Sequence, residues 1–496
     1  MSRPMNDTTH LPNVDRVDVD AVNKKENRGL YRKRIKIHSK RVNGTYRSLK
    51  WWIMLVTLGV YYVTPWIRWD RGPGAPDQAV LIDFPGRRFY FFFIEIWPQE
   101  IYYLAGLLIM AGIGLFFVTS VVGRAWCGYA CPQTVWTDLF VYVERWIEGD
   151  RAARIRLDKA PMSASKAAKR IIKYIIWLLI SLATGGAWVF YYADAPTLMI
   201  DLVTFQAHSV AYWTIAILAF MTFSLGGFMR EQVCTYMCPW PRIQAAMMDE
   251  HSATVTYRFS RGEPRGAYKK GTSWESRGDC VDCNQCVAAC PMGIDIRDGQ
   301  QLECITCALC IDACDSVMAK VGRPEGLIAY SSVASETRRL EGEVSGIRMF
   351  RFRTIAYLAL WSLVGVIMLV ALLGRSDLDI NVLRDRNPLF IALADGSIRN
   401  GYTFKILNKA RAKRTFILSI EGLPGARLKV VGAENNGEAA TPYFTANPDR
   451  LHSFKLYVSA PKKILQSEAL DIRFVLSELN TNIRAHYDSV FRGPKP

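Results

Sequence analysis

Two short stretches decide the fold of this chain: CVDCNQCVAACP at residues 280–291 and CITCALCIDAC at residues 304–314. Each has three cysteines at two-residue intervals and a fourth after three further residues. In two-cluster bacterial ferredoxins, three cysteines of one run bind one [4Fe-4S] cluster and the fourth binds the other. This rule predicts two ligand quartets, which are Cys280, Cys283, Cys286 and Cys314 for the first cluster, and Cys304, Cys307, Cys310 and Cys290 for the second.

Structural zinc is the alternative ligand, because pairs of cysteines two residues apart also form tetrahedral zinc sites. Zinc modules rarely use three cysteines at strict two-residue intervals twice in succession. Asp315 stands where the first run has Pro291, but this is not a ligand position. The pattern therefore favours two iron-sulfur clusters and an electron-transfer function.

The composition indicates a membrane protein with soluble domains. Of the 496 residues, 50% are hydrophobic and 12% aromatic, which is rich for a soluble chain. The net charge of +17 comes from basic residues beside long apolar segments, where membrane topology explains them better than nucleic-acid binding. All twelve cysteines lie between residues 127 and 314, which argues against a disulfide framework.

Five apolar segments are long enough to cross a bilayer as helices: residues 51–67, 101–123, 174–193, 202–229 and 355–374. About fifty polar and basic residues precede the first, so no cleavable signal peptide is predicted. Basic residues are concentrated in segments 24–50 and 124–170, whereas 194–201 contains none. The positive-inside rule then places residues 230–353, with both cysteine runs, in the cytoplasm and residues after 375 outside. This orientation keeps every cysteine in or beside the reducing compartment.

The segment between the first two spans carries several arginines and the aromatic run Phe89–Phe93. We interpret this run as an interfacial aromatic belt, with a short re-entrant element as the alternative.

Beyond residue 377 the pattern changes to short segments with apolar residues at every second position, such as those around Phe416, Phe454 and Phe474. Turn signals at Asp395-Gly396 and residues 435–437 separate them. The alternation predicts an immunoglobulin-like β-sandwich of about seven strands, without the Cys…Trp…Cys signature of true immunoglobulin domains. The simplest role for this domain is a spacer or a docking module.

A second cysteine motif occurs twice, as GRAWCGYACPQ at residues 123–133 and REQVCTYMCPW at residues 230–240. Each copy places Cys-x3-Cys-Pro just past the cytoplasmic end of a predicted span, so the chain contains an internal repeat. Proline is favoured in the first turn of a helix, which places Cys131 and Cys238 at or near helix N-termini. There the helix dipole favours the thiolate form.

Four thiolates from Cys127, Cys131, Cys234 and Cys238 are expected to converge. Such a set can bind Cu(I), zinc or another iron-sulfur centre; the plainer reading is buried, inert cysteines. Thioethers from nearby methionines could add ligands, although packing is their commoner role; these are Met229, Met237, Met247 and Met248.

These features together resemble the FixG/CcoG family from about residue 30 to the end of the chain. The resemblance rests on Trp-Cys127-Gly-Tyr-x-Cys131-Pro-Gln, its repeat at Cys234 and Cys238, the eight ferredoxin-type cysteines, and the final span with its sandwich. It implies an accessory protein for assembly of cbb3-type cytochrome c oxidase in the bacterial inner membrane, with a periplasmic C-terminal domain. It also implies a cluster-dependent oxidoreductase, a cupric reductase, that converts Cu(II) to Cu(I).

Under this resemblance the four cysteines of the repeat are the catalytic and copper-binding residues, while the eight others hold the clusters. The implied partners are the membrane, copper ions, a cytoplasmic electron donor, and oxidase assembly factors or copper chaperones. Two other functions remain open: a quinol- or quinone-linked electron-transfer subunit and a noncatalytic assembly scaffold.

The predicted organisation has seven parts. They are a basic cytoplasmic segment (1–50), a four-helix membrane region (51–229), a linker with the second motif (230–270), a ferredoxin-like module (271–330), a second linker (331–353), a fifth transmembrane helix (354–375) and the sandwich (376–496).

Overall fold

The computed structural model describes residues 14, 16–23, 34–72, 75–268, 273–343, 346–375, 378–409, 413–431, 439, 441–447, 450–465, 467–479 and 483–494. The chain divides into two compact units, Met1–Met368 and Leu369–Pro496. The predicted turn at residues 435–437 and the basic residues at 24–33 lie outside the described residues.

The first unit is mainly helical. Its helices are α1 (Thr45–Val63), α2 (Tyr102–Val122), α3 (Ala125–Tyr129), α4 (Pro132–Glu148), α5 (Arg151–Lys159), α6 (Ala164–Val189), α7 (Ala195–Val203), α8 (Ser209–Thr222), α9 (Trp240–Met247), α10 (Phe259–Gly262), α11 (Gln285–Ala289), α12 (Leu309–Lys320), α13 (Val333–Leu340) and α14 (Phe352–Leu373), the last of which continues into the second unit. Two π-helical segments, Phe223–Met229 and Val233–Met237, connect α8 to the second cysteine motif.

Four helical segments of the described chain are long and apolar enough to cross a membrane: Pro98–Val122, Ala164–Val189, Ser209–Met229 and Phe352–Leu373. They correspond to four of the five predicted spans. The first predicted span is helical as α1, but it is not among the segments that meet this criterion. The reason is that its N-terminal turns include Arg47 and Lys50, which leaves a shorter apolar stretch.

Helix α1 nevertheless makes hydrogen bonds to other parts of the first unit near both of its ends. At its start, the backbone N–H of Tyr46 donates to Asp312 of the ferredoxin-like region at 271–330, called the cysteine-rich module from here on, with a nitrogen–oxygen distance of 3.2 Å. Near its end, the Tyr61 hydroxyl donates to the carbonyl of Thr184 in α6 at 2.7 Å. Trp52 and Leu55 on its surface are exposed, as expected of a helix that faces lipid.

The segment before α2 forms a three-stranded antiparallel sheet in the order β1 (Val80–Asp83), β2 (Arg88–Phe91) and β3 (Ile94–Ile96). The aromatic run therefore lies in a β-sheet, which neither the belt nor the re-entrant interpretation anticipated. The guanidinium of Arg71 donates to the carbonyls of Gln78, Ala79 and Phe92 and holds this sheet to the preceding loop.

The second unit is a β-sandwich, which confirms the predicted fold class. Strands β4 (Thr254–Tyr257) and β5 (Ile328–Ser331) pair with each other in the first unit. The strands of the second unit are β6 (Leu378–Arg384), β7 (Ile391–Ala392), β8 (Ser397–Asn408), β9 (Arg414–Glu421), β10 (Arg427–Val430), β11 (Tyr443–Ala446), β12 (Arg450–Pro461), β13 (Ala469–Glu478) and β14 (Arg484–Arg492). One sheet has the order β10-β12-β8-β6, with β7 on β8, and the other β11-β9-β13-β14. Alternate residues such as Phe404, Phe416 and Phe474 fill the core and are fully buried, as period-two spacing requires.

Helices α4, α5 and α6 meet at a buried ion cluster around Glu144. The carboxylate of Glu144 is fully buried and lies 3.0 Å from both Arg154 and Arg230 and 3.5 Å from Lys173. Burial alone would raise its pKa, but Arg230, Arg154, Lys36 and Lys173 together hold the pKa well below its ordinary value of 4.5. Glu144 is thus the main counter-charge for Arg154 and Arg230, while Glu148 lies 2.7 Å from Lys173.

Glu144→Gln is expected to destabilise the protein by about 3–5 kcal/mol, because it leaves buried cations uncompensated. A lower thermal unfolding midpoint of the detergent-solubilised protein would show this, with the exposed Glu250→Gln as control. Because the folded-state pKa of Glu144 is depressed, its contribution is present above pH 4.5 and is lost as the pH falls below that value. Equal unfolding midpoints for the two variants would contradict this role.

Candidate iron-sulfur and thiolate sites

The two cysteine runs fold into equivalent loops, each followed by a helix, α11 or α12. Between the first three cysteines of each run, two residues have positive φ: Asp282 (51°) and Asn284 (56°), and Thr306 (57°) and Ala308 (60°). Such conformations are uncommon for non-glycine residues and are a strain typical of functional sites. Backbone N–H groups in alternating conformations form nests for anions, including iron-sulfur clusters. Asp282 and Asn284 are residue types that tolerate positive φ, whereas Thr306 and Ala308 gave no sequence signal for this geometry.

The structure brings the eight cysteines together in the two predicted groups. Burial raises the pKa of Cys314 well above its ordinary value, and the adjacent thiols act in the same direction; these are Cys286, Cys283 and Cys280. Cys310 is likewise buried, and its neighbouring thiols are Cys307, Cys304, Cys290 and, with the smallest effect, Cys286. A cavity is lined by Cys286, Cys290, Cys304, Cys307 and Cys310.

The surroundings of these thiols suit a cluster. Burial raises the pKa of Cys304 to about 11 and that of Cys290 to about 12. The backbone N–H of Thr306 donates to Cys304, and those of Ile294 and Met292 donate to Cys290; these bonds favour the thiolate. Buried thiols need a bound cation to become thiolates, and inward N–H groups are the usual partners of cluster-ligating sulfur.

Among the described residues, no three His, Cys, Asp or Glu side chains are close enough to share one metal ion. In a cubane cluster each thiolate binds a different iron atom, so its four sulfurs lie further apart than the ligands of one zinc ion. The same finding covers the four thiols of the repeat.

The two copies of the second motif begin with the same backbone turn, although the first continues into α3 and the second into the π-helical segment Val233–Met237. Gly123 and Arg230, each four residues before the first cysteine, have φ values of 57° and 43°. Cys131 is the N-cap of α4, and Cys238 precedes Pro239, the N-cap of α9. The predicted repeat and the placement of these cysteines near helix N-termini are confirmed. The positive φ of Arg230 is disfavoured for residues other than glycine. Its guanidinium donates a hydrogen bond to the carboxylate of Glu144.

The four thiols of the repeat converge. Burial raises the pKa of Cys234 to about 12, and the nearby thiols Cys131, Cys127 and Cys238 raise it further. The pKa of Cys127 is also raised by burial, although Arg124 opposes this.

The side chain of Gln244 positions the thiol of Cys127 through a hydrogen bond. The thiol of Cys127 donates to Oε1 of Gln244 at 3.0 Å, and Nε2 of Gln244 donates to the hydroxyl of Thr119 in α2 at 3.2 Å. Gln244 is fully buried. The sequence analysis did not identify it, because 117 residues separate it from Cys127.

Thiols of the repeat and thiols of the cysteine-rich module belong to one packed cluster. Cys127 and Cys234 pack in one cluster with Cys290, Cys304 and Cys307, around apolar side chains that include Met292, Ile305 and Leu309. The methionine beside the thiols is thus Met292, whereas Met237, named from the sequence, is 55% exposed.

Gly128 is where α3 meets the second cysteine run. A Cβ atom here would lie 2.6 Å from the carbonyl oxygen of Ile305 and 2.9 Å from Cα of Cys307. The contact therefore requires glycine. Tyr330 supports the same loop, since its hydroxyl donates to the carbonyl of Thr306 at 2.8 Å.

The described part of the N-terminal segment packs on the first cysteine run and the turn that follows it. The N–H of Val17 donates to the carbonyl of Cys283 at 2.9 Å, and the N–H of Asn23 donates to that of Gly293 at 3.0 Å. Lys40 likewise bonds the carbonyl of Ala288 through its backbone N–H at 2.8 Å. This segment, which the sequence suggested was a separate basic extension, is packed on the cysteine-rich module.

Comparison with known proteins identifies three regions of the chain. Residues 229–333 match the family described as "4Fe-4S dicluster domain", residues 104–149 match "4Fe-4S binding domain", and residues 368–494 match the "IG-like fold at C-terminal of FixG". The nitrogen fixation protein FixG of Rhizobium meliloti is 53% identical over 97% of this chain and 97% of its own length. The chain belongs to the FixG family.

Two further relatives, proteins RdxB and RdxA of Cereibacter sphaeroides, are 54% and 56% identical over 94% and 82% of this chain, and over 97% and 86% of their own lengths. The predicted resemblance is confirmed, and so are iron-sulfur domains in a FixG-type protein with membrane-length helices. The 4Fe-4S match at 104–149 includes Cys127 and Cys131, outside the eight ferredoxin-type cysteines.

Proposed function

We propose that this FixG-family protein is an oxidoreductase that reduces Cu(II) to Cu(I) at Cys127, Cys131, Cys234 and Cys238. The observation that carries the proposal is that Cys127 and Cys234 share one packed cluster of side chains with Cys290, Cys304 and Cys307. Electrons delivered to the cysteine-rich module would have only a short distance to travel to the thiols of the repeat.

In this proposal the two quartets of the module hold [4Fe-4S] clusters, which accept and donate single electrons when bound. The chain's own residues exclude water from the sulfurs and donate backbone hydrogen bonds to them, notably from Thr306 to Cys304. Burial and such hydrogen bonds are the levers by which proteins set cluster potentials.

At the thiol site, Cu(II) gains one electron that originates from a cytoplasmic donor and becomes Cu(I). Thiolates prefer Cu(I), so reduction and capture are coupled there. Metal binding displaces the thiol proton of Cys127, which points at Oε1 of Gln244. Gln244 would therefore orient the thiol of Cys127 before copper binds, and this hydrogen bond is lost when the proton leaves.

We further propose that the protein lies in the bacterial inner membrane, with the cysteine-rich module in the cytoplasm and the sandwich in the periplasm. The distribution of lysine and arginine around the apolar segments supports this orientation. The resulting Cu(I) would pass to a copper chaperone or assembly factor of cbb3-type oxidase. The geometry of α1 supports a fifth membrane crossing.

Cys234→Ser and Cys127→Ser are each expected to lower the rate of Cu(II) reduction by at least about tenfold, because serine is a poor ligand for Cu(I). The assay follows Cu(I) formation by anaerobic, detergent-solubilised protein with excess reductant, and Met237→Leu serves as the control. Iron content should be unchanged in all three variants. A loss of about four iron atoms in the cysteine variants would instead assign a third cluster to these thiols.

A further inference from the structure

A cavity with charged residues on one side lies beside Cys234, between α1, α4 and the cysteine-rich module. Its charged lining consists of four cations and two carboxylates: Arg47, Lys50, Arg145, Arg230, Asp138 and Glu231. Met292, Ile305 and Leu309 form an apolar side that belongs to the module. The cavity thus connects the thiol site to a surplus of positive charge.

The two carboxylates do not cancel this surplus. Asp138 accepts a bidentate pair of hydrogen bonds from Arg47 at 2.9 and 2.8 Å and lies 3.6 Å from Lys50. Glu231 is occupied by Arg34, which stands outside the lining. Asp138 is therefore paired with two of the lining cations and Glu231 with a cation from outside the lining, so neither carboxylate forms an ion pair with Arg145 or Arg230.

The residues that contact Arg230 and Arg145 do not neutralise the surplus positive charge either. Glu144, the partner of Arg230, is shared with Arg154, which lies equally close at 3.0 Å, whereas Lys173 lies nearer to Glu148, at 2.7 Å, than to Glu144, at 3.5 Å. Arg145 donates from Nη2 to the carbonyl and hydroxyl oxygens of Ser39, which are neutral. The nearest carboxylate to its Nε is Asp150 at 3.9 Å.

The electrostatics of Arg145 agree with this arrangement. Burial and the adjacent cations Arg154 and Arg47 together lower its pKa to about 10, against smaller contributions from Asp138 and Asp150. A cation whose cationic neighbours outweigh its anionic ones would be stabilised by an added anion.

We propose that this cavity binds a small carboxylate-bearing ligand, and that copper reaches Cys234 as an anionic carboxylate chelate rather than as the free dication. The inference rests on the proposed function for its copper part, whereas the carboxylate site stands on the cavity alone. A free Cu(II) ion is repelled by the lining charge, and an anionic chelate is attracted. At Cys234 the thiolate replaces a carboxylate oxygen on copper, the ion takes up one electron from the cytoplasmic donor, and the carboxylate ligand leaves.

The direct test compares two alkylating reagents, neutral iodoacetamide and anionic iodoacetate, on the full-length protein under anaerobic conditions at fixed pH. Mass spectrometry gives the ratio of iodoacetate to iodoacetamide rates separately for Cys234 and for Cys131, which does not line the cavity. We expect the ratio at Cys234 to exceed that at Cys131 by at least about threefold and to fall with added salt. Equal ratios would overturn the site.

Lys50→Gln is the matching variant. It removes a cavity charge while Arg47 still pairs Asp138, so the fold is retained. It should abolish the preference for iodoacetate, and Lys50→Arg should restore it. Lys40→Gln removes a charge that bonds Gln285 and does not line the cavity, and it should change nothing. An equal effect of both glutamine variants would show a general surface-charge effect and overturn the proposal.

A second arm compares Cu(II) citrate, which is anionic, with neutral Cu(II) bis-glycinate as substrates. The expected kcat/KM is higher for citrate, and Lys50→Gln should lower it by at least about threefold for citrate only. Reduction of both chelates at rates independent of Lys50 would overturn the copper part and leave the reductase standing. No reduction of either chelate, with the alkylation result intact, would refute the reductase and retain a carboxylate site.

Discussion

Replacing Cys314 with serine is expected to remove the cluster held by the first run, although Cys314 lies in the second. The thiols nearest to it are Cys286, Cys283 and Cys280, so its loss leaves that group with three thiolates. Iron content should fall from about eight to about four atoms per chain. Cys310→Ser should remove the other cluster, because Cys307, Cys304 and Cys290 are the main neighbours of Cys310.

The two variants should therefore retain complementary signals in electron paramagnetic resonance. Ser316→Ala on the same helix is the control, since the Ser316 hydroxyl bonds only the local carbonyl of Ala313. If Cys310→Ser and Cys314→Ser retained the same signal, each run would bind its own cluster, and the crossed arrangement would be wrong.

Gly128→Val is expected to uncouple the thiol site from the cysteine-rich module while both clusters remain. The first side-chain atom alone would lie 2.6 Å from the carbonyl of Ile305, so the backbones must separate by roughly 1 Å, a displacement that can cost up to about a hundredfold in rate. We expect Cu(II) reduction to fall by about tenfold or more. Overpacking should also lower the unfolding free energy by about 1–3 kcal/mol.

Gly112→Val is the matched control, because a Cβ atom at Gly112 in α2 meets no atom within 4 Å. Iron content and the rate of cluster reduction by dithionite should be unchanged in both variants. If Gly128→Val reduced copper at the normal rate, electron flow would not pass through the contact between α3 and the second run.

The sequence was sufficient for features that depend on local spacing. Cysteine intervals predicted the two groups, apolar length predicted four helices that meet the membrane criterion, and period-two alternation predicted the sandwich. The repeat at Cys127 and Cys234 was visible because both copies retain the same residues at the same intervals. Each of these signals lies within a short window of the chain.

Features that depend on distant residues were not predictable. Gln244 reaches Cys127 across 117 positions, and nothing around Gly128 indicates that a cysteine loop packs on it. Thr306 and Ala308 adopt positive φ because the loop around the sulfurs imposes it, against their own preference. The sheet at residues 80–96 was missed because the strands are three or four residues long and their aromatic residues also suit a membrane interface.

The most direct test of the central claim is electron paramagnetic resonance at low temperature on anaerobic protein reduced with dithionite, freed of excess reductant and titrated with Cu(II). We predict that the signals of the reduced clusters and of Cu(II) disappear together, with about one cluster oxidised for each copper ion added. Persistence of the Cu(II) signal beside fully reduced clusters would contradict electron transfer from this module to copper.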